Sequence, residues 1–230
     1  MKLPTSMDRA LNGKRRVLLA GCGGGYDVMG AVPLALTLRE AGHEVHFASL
    51  SFCYLNGLAG AEQQPRFANL YRVTGAAATD RSYCPEAWLA RFLDEQLGAS
   101  TSLWCFDKTG VRPLARAYRQ LVDLLALDAI ILIDGGIDAI LRGDESSLGT
   151  PSEDLASLAA VATLDGIERF VACVGFGAEL RDRICHEQVF ARIAELTREG
   201  GYLGATAMVR GDVATESYLQ AIDFVFANQQ

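Results

Sequence analysis

A chain of 230 residues, half of them hydrophobic, is long enough for one large domain with a sizeable core. Its formal net charge of −7 argues against general nucleic-acid binding and against docking on anionic membranes, because both need positive potential. No run reaches the ~18 consecutive apolar residues of a membrane helix. The first residues carry no apolar signal region, and the six scattered cysteines include no C-x-x-C pair, so the expectation is a cytoplasmic protein without a disulfide framework or structural zinc.

Residues 17–20 form a short apolar run that enters a glycine cluster, which predicts a buried strand and a turn. Residues 32–41 predict a helix closed by Gly42, and 44–50 a second strand rich in Val, His and Phe. Strand, glycine turn, helix and strand make the opening unit of a parallel, doubly wound sheet. Residues 51–82 are punctuated by Asn56-Gly57, Gly60 and Pro65 and predict an insertion, with a short strand over 70–73. Helices follow over 85–97, stopped by Gly98, and over 113–125, where Leu114, Ala117, Leu121, Leu124 and Leu125 keep helical spacing; a strand is predicted between them at 103–106.

The continuous apolar run 129–133 predicts a central strand buried on both faces. Thr150-Pro151-Ser152-Glu153 has the form of a capping box and starts the next helix. A strand at 170–174 and helices at 184–198 and 213–227 complete a single Rossmann-like, three-layer α/β domain. Three strands thus end in glycine-rich turns, after Ala20, Ile133 and Val174. Ligands of open parallel sheets bind at the carboxyl ends of strands, so neighbouring strands would bring these turns to one crevice.

The first turn holds Gly21, Gly23, Gly24, Gly25 and Asp27. Glycines permit positive φ and close approach to main-chain N–H groups, and a following helix adds the positive end of its dipole. A bound anion is expected here, with Asp27 facing it. The dinucleotide fingerprint G-x-G-x-x-G fails at Tyr26, strand two ends in Ser49-Leu50-Ser51 without the acid that grips ribose, and Ala31 stands where a P-loop needs lysine.

The second turn carries four carboxylates, Asp134, Asp138, Asp144 and Glu145, with Gly135 and Gly136, directly after the buried strand. A charge at the end of such a strand needs a partner or ligand. Carboxylates there can accept sugar hydroxyls, act as acid, base or nucleophile, or hold Mg²⁺, for which Asp134 and Asp138 are the candidate ligands. The competing reading is a solvated acidic loop. The third turn adds Gly175, Gly177 and Glu179. Cys22, His43 and His46 read as structural.

Taken together, Gly23-Gly24-Gly25, Asp27-Val28, Gly30-Ala31 before Pro33-Leu34-Ala35, Gly42-His43-Glu44-Val45, Asp134 through Gly136, Asp138, Gly143-Asp144-Glu145, Pro151, Gly175, Gly177 and Glu179-Leu180 resemble the prokaryotic family called domain of unknown function 1152. That resemblance implies a Rossmann-like domain and no particular activity. The chain departs from it at Gly177-Ala178, where an acid and a glycine are expected. The opening unit is also similar to the N-terminal half of two-domain nucleotide-sugar glycosyltransferases, which use a second domain for the donor.

The functional expectation is a small-molecule enzyme, a hydrolase or transferase on a nucleotide or phosphorylated sugar, compatible with a homo-oligomer. The alternatives are a non-catalytic nucleotide-binding or regulatory module, and an NAD- or S-adenosylmethionine-dependent enzyme.

Overall fold

The computed structural model describes residues 1–229 except 67–68, 80–81, 98–100, 146–150 and 179–183. Seven strands form one sheet: β1 (Arg16–Gly21), β2 (Glu44–Leu50), β3 (Ala61–Gln63), β4 (Leu70–Thr74), β5 (Ser102–Phe106), β6 (Ala129–Asp134) and β7 (Glu168–Cys173). Their spatial order is β3-β4-β5-β2-β1-β6-β7. The five strands from β5 to β7 run parallel, and β3 and β4 form an antiparallel edge.

Side chains alternate across β1, and this sorts the core into two layers. Val17 and Leu19 face α2 (Ala31–Glu40), α3 (Pro85–Leu97) and α7 (Val213–Asn228), in a cluster with Leu38, Phe47, Leu89 and Val225. Leu18 and Ala20 face α4 (Val111–Leu125) and α5 (Pro151–Ala162), with Tyr118, Leu121, Ile130 and Ala160. All six residues of β6 are buried, as a central strand covered on both faces requires. The expected three-layer, mostly parallel α/β architecture is therefore the observed one.

Three details differ from expectation. Residues 51–82 extend the main sheet through β3 and β4. The short helix α1 (Thr5–Ala10) precedes β1 and buries no side chain, so it leaves no apolar stripe to read. The strand read at 170–174 lies at Glu168–Cys173 on the sheet edge, partly open to solvent. The remaining helix, α6 (His186–Arg198), buries Val189 against Ile137 and Ile184. The capping role of Thr150 and the stop at Gly98 lie outside the described residues. Among the described residues, no helix is long and apolar enough to cross a membrane.

Candidate functional site

The strand order makes β1, β6 and β7 neighbours, so the three glycine turns meet at one edge. Gly21 pairs with Ile133, and Asp134 with Cys173, which ends the strands almost level. From β1 the chain crosses to β2 on one side, and from β6 to β7 on the other. Loops that diverge in this way leave a crevice, the usual ligand position in an open parallel sheet.

Asp134 closes β6 and is only 3% exposed. Its Oδ1 accepts the Gly136 N–H at 2.8 Å and its Oδ2 the Ala139 N–H at 3.1 Å. These bonds fold the chain into the short 3₁₀ turn at Asp138–Ile140 and bring Asp138 back over the strand end. Asp154, in the first turn of α5, is also 3% exposed and completes the group. One carboxylate oxygen from each of Asp134, Asp138 and Asp154 lies within 4.8 Å of the other two. Beyond burial, Asp138 is the acid that weighs most on Asp154, raising it both through its charge and through a side-chain contact.

Asp27 forms the fourth corner. Its Oδ2 accepts the Gly23 N–H at 2.6 Å and its Oδ1 the Gly135 N–H at 3.2 Å, stitching the first turn to the second. Burial is the leading cause of its displaced titration. It pushes Asp27 up from 3.8 to about 7, against the pull of the Gly23 N–H and with help from the charge on Asp134. Burial first, then Asp138, Asp134 and Asp27, push Asp154 up from 3.8 to about 8. Asp134 is raised as well, again chiefly by burial. Cys22 donates its thiol to the Asp154 carbonyl at 3.6 Å, and burial raises it far from a thiolate, which fits its structural reading.

The glycine turn is less open than its composition suggests. Gly24 and Gly25 take φ of +93° and +62°. A methyl group on Gly23 would run into the Asp154 and Asp27 carboxylates, and one on Gly24 would lie 2.5 Å from the Leu50 carbonyl oxygen. The glycines are needed because the protein's own side chains and backbone crowd this turn. Its Gly23 N–H is already taken by Asp27, so the bare anion cradle read from the sequence is closed at that donor. Asp27 itself faces backbone N–H groups rather than open space.

The other candidates divide. Gly135 and Gly136 line the turn that presents Asp138, and a methyl group on Gly175 would lie 4.0 Å from the Gly135 carbonyl oxygen, so the third turn adjoins the second. Gly175 and Gly177 both take positive φ, at +88° and +93°. Asp144 and Glu145 stand apart from the carboxylate group. Glu145 folds onto its own loop, accepting the Arg142 N–H at 2.9 Å and the Gly143 N–H at 2.7 Å, and Asp144 is exposed. Glu179 lies outside the described residues. His43 binds the Lys14 carbonyl oxygen at 2.7 Å, at the opposite edge of the sheet. At the end of β2, the Ser49 hydroxyl donates to Glu86 at 3.1 Å. Glu86 is fully buried, so it cannot serve as the missing ribose-binding acid.

The sequence profile described as "Protein of unknown function (DUF1152)" matches residues 18–221. The chain belongs to this family. Within this DUF1152 protein the matched span runs from β1 into α7 and so contains every member of the carboxylate group. No curated protein matches it significantly. Among solved structures, it is similar to an N,N'-diacetylchitobiose deacetylase from Pyrococcus horikoshii, at 14% identity and a TM-score of 0.36. That similarity covers 66% of this chain, which spans half the length of the deacetylase chain.

Proposed function

We propose that this DUF1152 protein is a divalent-cation-dependent hydrolase or transferase acting on a nucleotide or phosphorylated sugar. The observation that carries the reading is the approach of Asp134, Asp138 and Asp154 to within 4.8 Å at the crevice between β1 and β6. Carboxylates gathered in a poorly solvated place repel one another. They stay together either by holding protons or by sharing a cation. Mg²⁺ suits an all-oxygen set of this kind, and it binds through few carboxylates while keeping positions for water and phosphate oxygens.

The cation also answers the electrostatic problem at the glycine turn. Four carboxylates around that turn repel a phosphate, and a bound dication offsets part of that charge and gives the phosphate oxygens a direct positive contact. Of the three cation ligands, Asp138 is the least buried and is best placed to meet an attacking water or a substrate hydroxyl. Asp134 and Asp154 are the buried ligands of the set, and Asp27 holds the two turns in register.

A thermal-shift and turnover screen of nucleotides and sugar phosphates, with and without Mg²⁺, tests the proposal. Stabilisation and product formation that both require the cation support it. Equal stabilisation without Mg²⁺ contradicts it, and binding without turnover would leave a nucleotide-binding module instead.

A further inference from the structure

We propose that Lys108 is the anion-binding side chain of this site, held at its rim by Glu153 and seated on Phe52. The inference deepens the function proposed above and rests on it. Lys108 lies two residues beyond the end of β5, whose Phe106 pairs with Leu50 of β2, so it stands on the same carboxyl edge as the carboxylate group. Its Nζ is 3.1 Å from Glu153 Oε1 and 4.1 Å from the centre of the Phe52 ring. Glu153 is the sequence neighbour of Asp154 in the first turn of α5.

Phe52 follows β2 and lies against the glycine turn. Methyl groups on Gly24 and Gly25 would meet its ring at 3.0 and 3.3 Å. Phe52 is 44% exposed, so one face of its ring is open to the ammonium. The ammonium meets the π face well inside the ~6 Å range of a cation–π contact. The result is a positive charge placed between the glycine turn and α5.

The Lys108–Glu153 pair is weakly held, because the lysine side chain is 52% exposed and surface ion pairs add little stability. An ammonium has three donors, and Glu153 engages one of them. A phosphate or pyrophosphate group, with more negative charge than a carboxylate, is a stronger partner, and the four-carbon stem can turn toward it. Lys108 would then meet the anionic group on the glycine-turn side while the cation meets it on the carboxylate side.

Calorimetric titration of pyrophosphate and ADP, each with saturating Mg²⁺, into wild type, Lys108→Met, Lys108→Arg and Glu153→Gln tests this. Lys108→Met should weaken both ligands by about tenfold or more. Lys108→Arg should retain most of the affinity, and Glu153→Gln should raise it by freeing the ammonium. A merely structural ion pair would give Lys108→Met and Glu153→Gln matching shifts in Tm and no opposite effects on affinity. Unchanged affinity in Lys108→Met, equal losses in both variants, or no pyrophosphate binding by the wild type would each overturn the assignment. Mg²⁺ binding measured without anion separates the two proposals: if it is intact while Lys108→Met binds pyrophosphate normally, only the Lys108 assignment falls. If Mg²⁺ does not bind and anion affinity still depends on Lys108, only the cation reading falls.

Discussion

Asp27 Oδ1 accepts the N–H of Gly135 at 3.2 Å, joining two turns that lie 108 residues apart in the chain. The same carboxylate holds the Gly23 N–H on the other side. The crevice therefore has its geometry before any ligand arrives, and that geometry depends on one acid. Asp27→Ala leaves the buried Gly23 donor without a partner, at a cost of about 1–3 kcal/mol. The expected result is a lower Tm and a lower urea midpoint with an unchanged m-value. Asp27→Asn keeps one acceptor and should cost less.

The pH dependence of the cation-free protein should be inverted relative to the common case. Asp27 and Asp154 titrate near 7 and near 8 in the folded chain, against 3.8 as the ordinary value. The folded state thus binds more protons than the unfolded state between about pH 4 and pH 8. The contribution of these two acids to stability is greatest below that window and falls as pH rises through it. Thermal unfolding in EDTA should show Tm decreasing from pH 5 to pH 8. Mg²⁺ should flatten the slope, since a bound dication takes the place of the bound protons. A Tm that rises over the same range in EDTA would contradict the assigned burial of these acids.

Asp154→Asn and Asp134→Asn should separate charge from scaffolding. Asp134 accepts two backbone N–H groups on separate oxygens; the asparagine amide oxygen can keep one, while its nitrogen cannot accept the other. Its asparagine variant should lose cation binding and also lose about 1–2 kcal/mol of stability. Asp154→Asn relieves repulsion and should raise Tm in EDTA while weakening Mg²⁺ by about tenfold or more. Denaturation curves with and without Mg²⁺ distinguish the two patterns.

Asp144→Asn and Glu145→Gln should leave Mg²⁺ affinity unchanged. Glu145 serves its own loop, and Asp144 faces solvent outside the carboxylate group. A loss of cation affinity in either variant would place the acidic loop inside the site after all.

Gly23→Ala and Gly24→Ala should fail in different ways. The new methyl at Gly23 meets the ends of the Asp154 and Asp27 side chains, so its main effect should be on cation binding. The one at Gly24 meets the rigid Leu50 carbonyl at 2.5 Å, with φ at +93°, so its main effect should be on stability. Paired unfolding and Mg²⁺ titrations read out the difference.

The apolar runs of β1 and β6 were legible because central parallel strands are buried on both faces and keep no polar alternation. Asp134 was legible for the same reason: a charge directly after such a run stands out. Asp154 was not, although it completes the site. It falls just after a capping signature in which acids are expected, and the dipole of a helix start favours them at any orientation. The available signal was the helical period. Asp154 shares the inward face of α5 with Ser157, Ala160 and Val161, all buried. An acid on that face is a buried acid. β3 was invisible because a three-residue, solvent-facing edge strand has no pattern to read.

A cation held by Asp134, Asp138 and Asp154 must bind stoichiometrically and displace protons. The most direct measurement is calorimetric titration of Mg²⁺ into wild type and Asp154→Asn near pH 7, repeated in two buffers of different ionisation enthalpy. The expected result is saturable binding of one ion by the wild type, release of protons on binding, and a loss of about tenfold or more in affinity for Asp154→Asn. No saturable binding by the wild type, or equal binding by the variant with no proton release, would contradict it.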